Sequence, residues 1–98
     1  MLTYIVIPLT KNSANTNALN VLIEKDIGAD VRHKLQADAG WLIQFDGTTK
    51  ELSDKLTITG QKPGEPSLVG PAIIAPISGY YGRGPTDMWE WLKIRFER

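Results

Sequence analysis

Ninety-eight residues suffice for one small domain, and 42% hydrophobic with 22% charged side chains is a globular composition rather than a disordered one. Eleven basic and eleven acidic residues cancel, so no polybasic stripe is on hand to neutralise a phosphate backbone or an anionic membrane. With no cysteine, a disulfide framework, a thiolate metal site and a thiol nucleophile are all excluded.

Met1 to Pro8 has no basic residue ahead of its apolar run and no small-residue cleavage pattern, so it reads as a first strand rather than a secretory signal. Tyr4 to Ile7 is continuously apolar and rich in β-branched side chains, which suits a strand in the middle of a sheet. From about Asn15, Ala18, Leu19, Leu22 and Ile23 recur at helical spacing, and Gly28 sits where a left-handed cap is expected after a helix ending near Asp26 or Ile27. Val31, His33 and Leu35 then alternate with Arg32, Lys34 and Gln36, the mark of a strand with one dry and one wet face. Asp38-Ala39-Gly40 turns the chain into a second alternating strand, Trp41 to Phe45, closing a hairpin.

Thr48 and Glu51 have the spacing of a capping box, and Leu52 and Leu56 share the inner face of the short helix that follows. Thr57 to Gly70 is a long loop with room for a short extended piece. Ala72 to Ile77 forms the last strand, and Pro71 and Pro76 assign it to a sheet edge because proline cannot donate to a ladder. Pro85 opens a terminal helix spanning 85–96, with Asp87 near its positive end. Three prolines in the uncharged run from Pro66 to Gly82 rule out a membrane-spanning helix there.

The resulting order, β-α-β-β-α-β-α, is that of an α+β ferredoxin-like βαββαβ sandwich of the whole chain. Its four-stranded antiparallel sheet has order 4-1-3-2, two helices cover one face, and a C-terminal helix is appended. Strand-two phase places Arg32, Lys34 and Gln36 on the other face beside Leu42 and Gln44. Small ferredoxin-like chains with this element order include the CRISPR-associated endoribonucleases, which hold a metal on an acidic residue just after the first strand. Ile7 to Lys11 contains no carboxylate here, and that departure removes the reason to expect a nuclease.

Two candidate surfaces remain. In the turn Gly79 to Pro85, glycines let backbone amides approach a ligand, Arg83 offers a fork for carboxylate or phosphate, and Tyr80 and Tyr81 offer stacking faces. Tyr80, Tyr81, Gly82, Arg83 and Gly84 thus form a candidate nucleotide- or RNA-phosphate site, against the plainer reading that the glycines only turn the chain. In the terminal helix, Met88, Trp89, Leu92 and Phe96 make one apolar stripe, while Trp91 and Ile94 fall outside it. Two apolar sides imply two neighbours: the chain's own sheet, and either a second subunit, a different protein or the 57–70 loop, with Trp89, Trp91 and Ile94 as interface candidates.

His33, the only histidine, shares phase with Val31 and Leu35 and reads as packed rather than catalytic. Ser53 and Ser78 lack a nucleophile-elbow motif, and Asp26, Asp30, Asp38 and Asp46 sit where turns want aspartate. No catalytic set, metal site or cofactor is expected. The expectation is a cytoplasmic, non-catalytic binding or regulatory module acting through protein contacts, most simply a homodimer, with phosphate-ligand binding as the alternative.

Overall fold

The computed structural model describes residues 1–79 and 82–96, the side chain of Phe96 excepted. Tyr80 and Tyr81 lie outside the described residues. The elements are β1 (Leu2–Pro8), α1 (Ser13–Asp26), β2 (Arg32–Lys34), β3 (Trp41–Phe45), α2 (Thr49–Lys55), β4 (Ala72–Ile77) and α3 (Thr86–Phe96). The four strands pair antiparallel in the order β2-β3-β1-β4. This is the ferredoxin-like sandwich expected, with the two most apolar strands in the centre.

Local chemistry starts each helix. Asn12 caps α1, its Oδ1 accepting from the amides of Ala14 at 2.9 Å and Asn15 at 3.2 Å, two donors the helix cannot satisfy itself. In α2 the capping box forms: Thr48 Oγ1 accepts from Glu51 N at 3.1 Å, and Glu51 Oε1 accepts from Thr48 N at 3.1 Å. Gly28 does not provide a left-handed cap for α1. Its φ is −60°, because the Ile27 amide continues the helical pattern to Ile23 O and the chain then passes straight into a single 3-10 turn, Ala29–Val31.

Register divides the sheet into two faces. Val6 opposite Trp41 and Tyr4 opposite Ile43 point toward α1 and α2. There they join fully buried Leu19, Ile23, Leu52 and Leu56, with Val69 from the 57–70 loop, in one core. Each such aliphatic side chain contributes about 1.5–3 kcal/mol by leaving water. Polar tips in this layer are satisfied: Tyr4 Oη donates to Gly47 O at 2.6 Å, and Trp41 Nε1 donates to Asn20 Oδ1 at 2.9 Å. The loop holds no regular element, yet Ile58 and Val69 anchor it against this face, so it is not the cover of α3.

The opposite face, Ile5 beside Leu42 and Ala75, and Thr3 beside Gln44 and Ile77, lies under α3. Leu92 is the buried anchor of that helix.

Strand two corrects the expected phase. Arg32 pairs with Ile43 and Lys34 with Trp41, so both basic residues sit on the α1 side, and His33 pairs with Leu42 on the α3 side. The reason is that α3 dries the face that a two-layer sandwich leaves wet, so alternation in an edge strand no longer separates core from solvent. Arg32 and Lys34 lie at the sheet margin, where long stems can bring charged heads out. Arg32 Nη1 donates to the carbonyls of Ile27 and, at 3.2 Å, Glu24, closing the C-terminal end of α1. Lys34 Nζ lies 6.0 Å from the Trp41 ring centroid and 3.2 Å from Asp38 Oδ1.

Candidate functional site

The chain emerging from β4 has to cross the sheet end and return as α3, and the residues 79 and 82–85 accomplish this. Gly82 has φ +144°, a conformation that L side chains rarely adopt, and open space around it. Gly84 lies against the first turn of α3: a Cβ there would come 2.3 Å from Met88 Cε, the far end of a flexible side chain that can turn aside. Pro85 precedes the helix rather than opening it. Its carbonyl accepts from Met88 N at 3.1 Å and Trp89 N at 3.2 Å.

Between this turn, α3 and the sheet lies a cleft of about 360 Å³. Its sheet wall is Ile5, Leu35, Leu42 and Ile77, its helix wall Met88, Trp89 and Leu92, and its rim Gly79, Gly82 and Arg83. Among the described residues Arg83 is the only charged one of that lining, and it is exposed. The turn residues singled out by sequence are therefore split: Gly82 and Arg83 border the cleft, Gly84 serves packing against Met88, and Tyr80 and Tyr81 are outside the described residues. The apolar walls were not foreseen, because they come from alternate positions of strands that the sequence assigns to an open face.

The interface candidates on α3 also separate. Trp91 is half-buried, its ring 6.0 Å from that of His33 at 41° and under the Arg95 guanidinium, whose carbon stands 3.9 Å from the ring centroid. Arg95 Nη1 donates to Trp91 O at 3.1 Å, and Nη2 donates to Asp30 O, tying the helix end back to the loop before β2. His33 Nε2 is 3.8 Å from Asp87 Oδ2, a second tie between β2 and the start of α3. Trp91 Nε1 is buried and finds no hydrogen-bond partner among the described residues. Trp89 is half-buried over the cleft, and Ile94 is 65% exposed.

A larger apolar groove lies on the other side of the sheet. It has a volume of about 550 Å³ and runs between α1 and the 57–70 loop, lined by Ala14, Ala18, Val21, Leu22, Leu68 and Val69, with Lys25 at one end. Val21 is 64% exposed and Leu68 79% exposed. Asn15 Nδ2 donates to Leu68 O at 3.0 Å and holds the loop beside the helix. Val21 carried a readable signal, since Ala14, Ala18, Val21 and Lys25 follow helical spacing on a second side of α1. Leu68, isolated in a loop, carried none.

No group of three or more His, Cys, Asp or Glu side chains able to hold a metal occurs among the described residues. Nor is any helix among them long and apolar enough to cross a membrane. The perturbed titratable pair is Lys50 and Asp54, on α2 and away from both surfaces. The hydrogen bond from Lys50, then that from the Thr59 hydroxyl, holds the Asp54 carboxyl below its usual value, and the same bond raises Lys50. No family model, curated protein or solved structure matches the chain.

Proposed function

We propose that this protein is a small non-catalytic binding module that works through protein–protein contacts, with a second copy of itself as the occupant of the α1 groove. The observation that carries this reading is the groove itself, where Val21 and Leu68 stand exposed beside buried neighbours. Contiguous exposed apolar surface of this kind marks interaction sites.

Ala14 and Ala18, one helical turn apart, are the low part of the α1 surface, and Val21 and Leu68 are the high part. Two α1 helices placed antiparallel about a two-fold axis set the high part of each against the low part of the other, an isologous contact. A formal charge of zero puts no long-range repulsion in the way. Ile94 on α3 and the outer edge of β4 remain as secondary surfaces. That edge is blunted: Leu9 N donating to Pro71 O at 2.8 Å sets the ladder phase, which turns the Pro76 nitrogen outward with no proton to offer. A cytoplasmic setting, in which a chain without cysteine needs no disulfide, belongs to the proposal.

The test is sedimentation of the wild type against Val21→Glu and Leu68→Glu. Both positions are exposed, so both variants are expected to keep the fold, while the glutamates disrupt the association. Unchanged mass in all three proteins counts against the reading.

A further inference from the structure

We propose that the cleft beneath α3 is a binding site for a small monoanion with an apolar body, an aliphatic or aromatic carboxylate. This goes beyond the self-association reading and is independent of it, because cleft and groove lie on opposite faces of the sheet.

Three features define the ligand. The walls, Ile5, Leu42 and Ile77 from the sheet and Trp89 and Leu92 from α3, offer apolar surface in a cleft within the size range of small-molecule sites. Its volume of about 360 Å³ is at the lower end of that range and suits a small ligand. Arg83 on the rim supplies a planar fork that matches a carboxylate, and as the only charged lining residue among the described residues it sets the complement at one negative charge.

The same features argue against a nucleotide. A nucleoside phosphate carries more than one negative charge on its phosphate, and Arg83 is the one charged side chain among the described lining residues. The nearby start of α3 also carries the carboxylate of Asp87, which points toward His33 at 3.8 Å and would repel a polyanion. A carboxylate held outside by Arg83, with its tail between Trp89 and the sheet, avoids both problems.

Octanoate, octan-1-ol and adenosine monophosphate are the probes, titrated into the full chain with methyl resonances of the cleft and tryptophan fluorescence as readouts. Octanoate is expected to give saturable shifts at Ile5, Leu42, Ile77 and Leu92, with octan-1-ol weaker by about fivefold, the upper value for an ion pair open to water. Arg83→Gln, at an exposed position, is expected to close that gap by lowering octanoate affinity alone, and Arg83→Lys to keep part of it. Non-saturating shifts, shifts centred on Val21 and Leu68 instead, equal affinity for the alcohol in wild type, or tighter binding of adenosine monophosphate would each overturn the proposal. Sedimentation of the same samples separates this outcome from that of the dimer.

Discussion

Replacing Trp91 by phenylalanine and by alanine asks what holds α3 on the sheet. Removing a fully buried tryptophan side chain costs about 3–5 kcal/mol. Trp91 is half-buried, so the alanine variant is expected to lose roughly half of that, about 2 kcal/mol. The Arg95 guanidinium 3.9 Å above the ring is included in the loss, at about 1 kcal/mol for a cation–π contact near the surface. Phenylalanine keeps a ring between His33 and Arg95 and deletes the buried indole N–H. That donor has no partner among the described residues, and its desolvation opposes folding by about 1–3 kcal/mol, which offsets the smaller ring area. The phenylalanine variant is therefore expected within about 1 kcal/mol of wild type. Urea unfolding at a slope near 1 kcal/mol per molar would show a midpoint about 2 M lower for Trp91→Ala and less than about 1 M lower for Trp91→Phe. Equal losses in the two variants would falsify the reasoning, since they would mean that the indole nitrogen makes a bond of consequence.

Three further outcomes follow from local geometry. Gly40 has φ +145° and its Cβ position lies 2.1 Å from Val6 O, so Gly40→Ala must push β3 away from β1; a loss above about 3 kcal/mol in thermal or urea unfolding is expected, and a loss under about 1 kcal/mol contradicts the contact. Asn12→Ala removes the α1 cap and should cost about 1 kcal/mol, checked by the same unfolding curves, whereas Asn12→Gly should cost less. Asp54 has its pKa lowered in the folded state, so its contribution is present above the ordinary carboxylate value of about 4 and is lost as pH falls through the folded value. Melting temperatures of Asp54→Asn and wild type should differ at pH 7, converge in acid, and differ less in high salt because the pair with Lys50 is exposed.

How far each part of the molecule was readable depended on whether the controlling interactions were local. The capping box at Thr48 and Glu51, the central placement of β1 and β3, and the edge placement of β4 are matters of near neighbours and of proline's missing donor, and all are in the structure. The phase of β2 depends on α3, more than fifty residues later in the chain, and alternation in three residues could not reveal that both sheet faces are covered. The left-handed pair Ala37 and Asp38, with φ of 56° and 55°, is likewise set by closure of the β2–β3 connection, where Leu35 N donates to Gly40 O at 2.9 Å; aspartate tolerates that conformation, whereas nothing in alanine's own preference announces it. Arg83 was visible as a candidate from its glycine-rich surroundings. The apolar cleft beside it was not, because Ile5, Leu42 and Ile77 meet only through strand register. Trp91, which leaves the apolar stripe of α3, has His33 and Arg95 beside it within its own chain, neighbours that helical spacing alone does not reveal.

Sedimentation equilibrium over a wide concentration range tests self-association through the α1 groove most directly. The wild type is expected to approach twice the chain mass of 10.9 kDa, and Leu68→Glu to remain at the single-chain mass with an unaltered circular dichroism spectrum. A wild type that stays at 10.9 kDa at the highest concentration, or a Leu68→Glu variant that associates as strongly as wild type, would contradict the account.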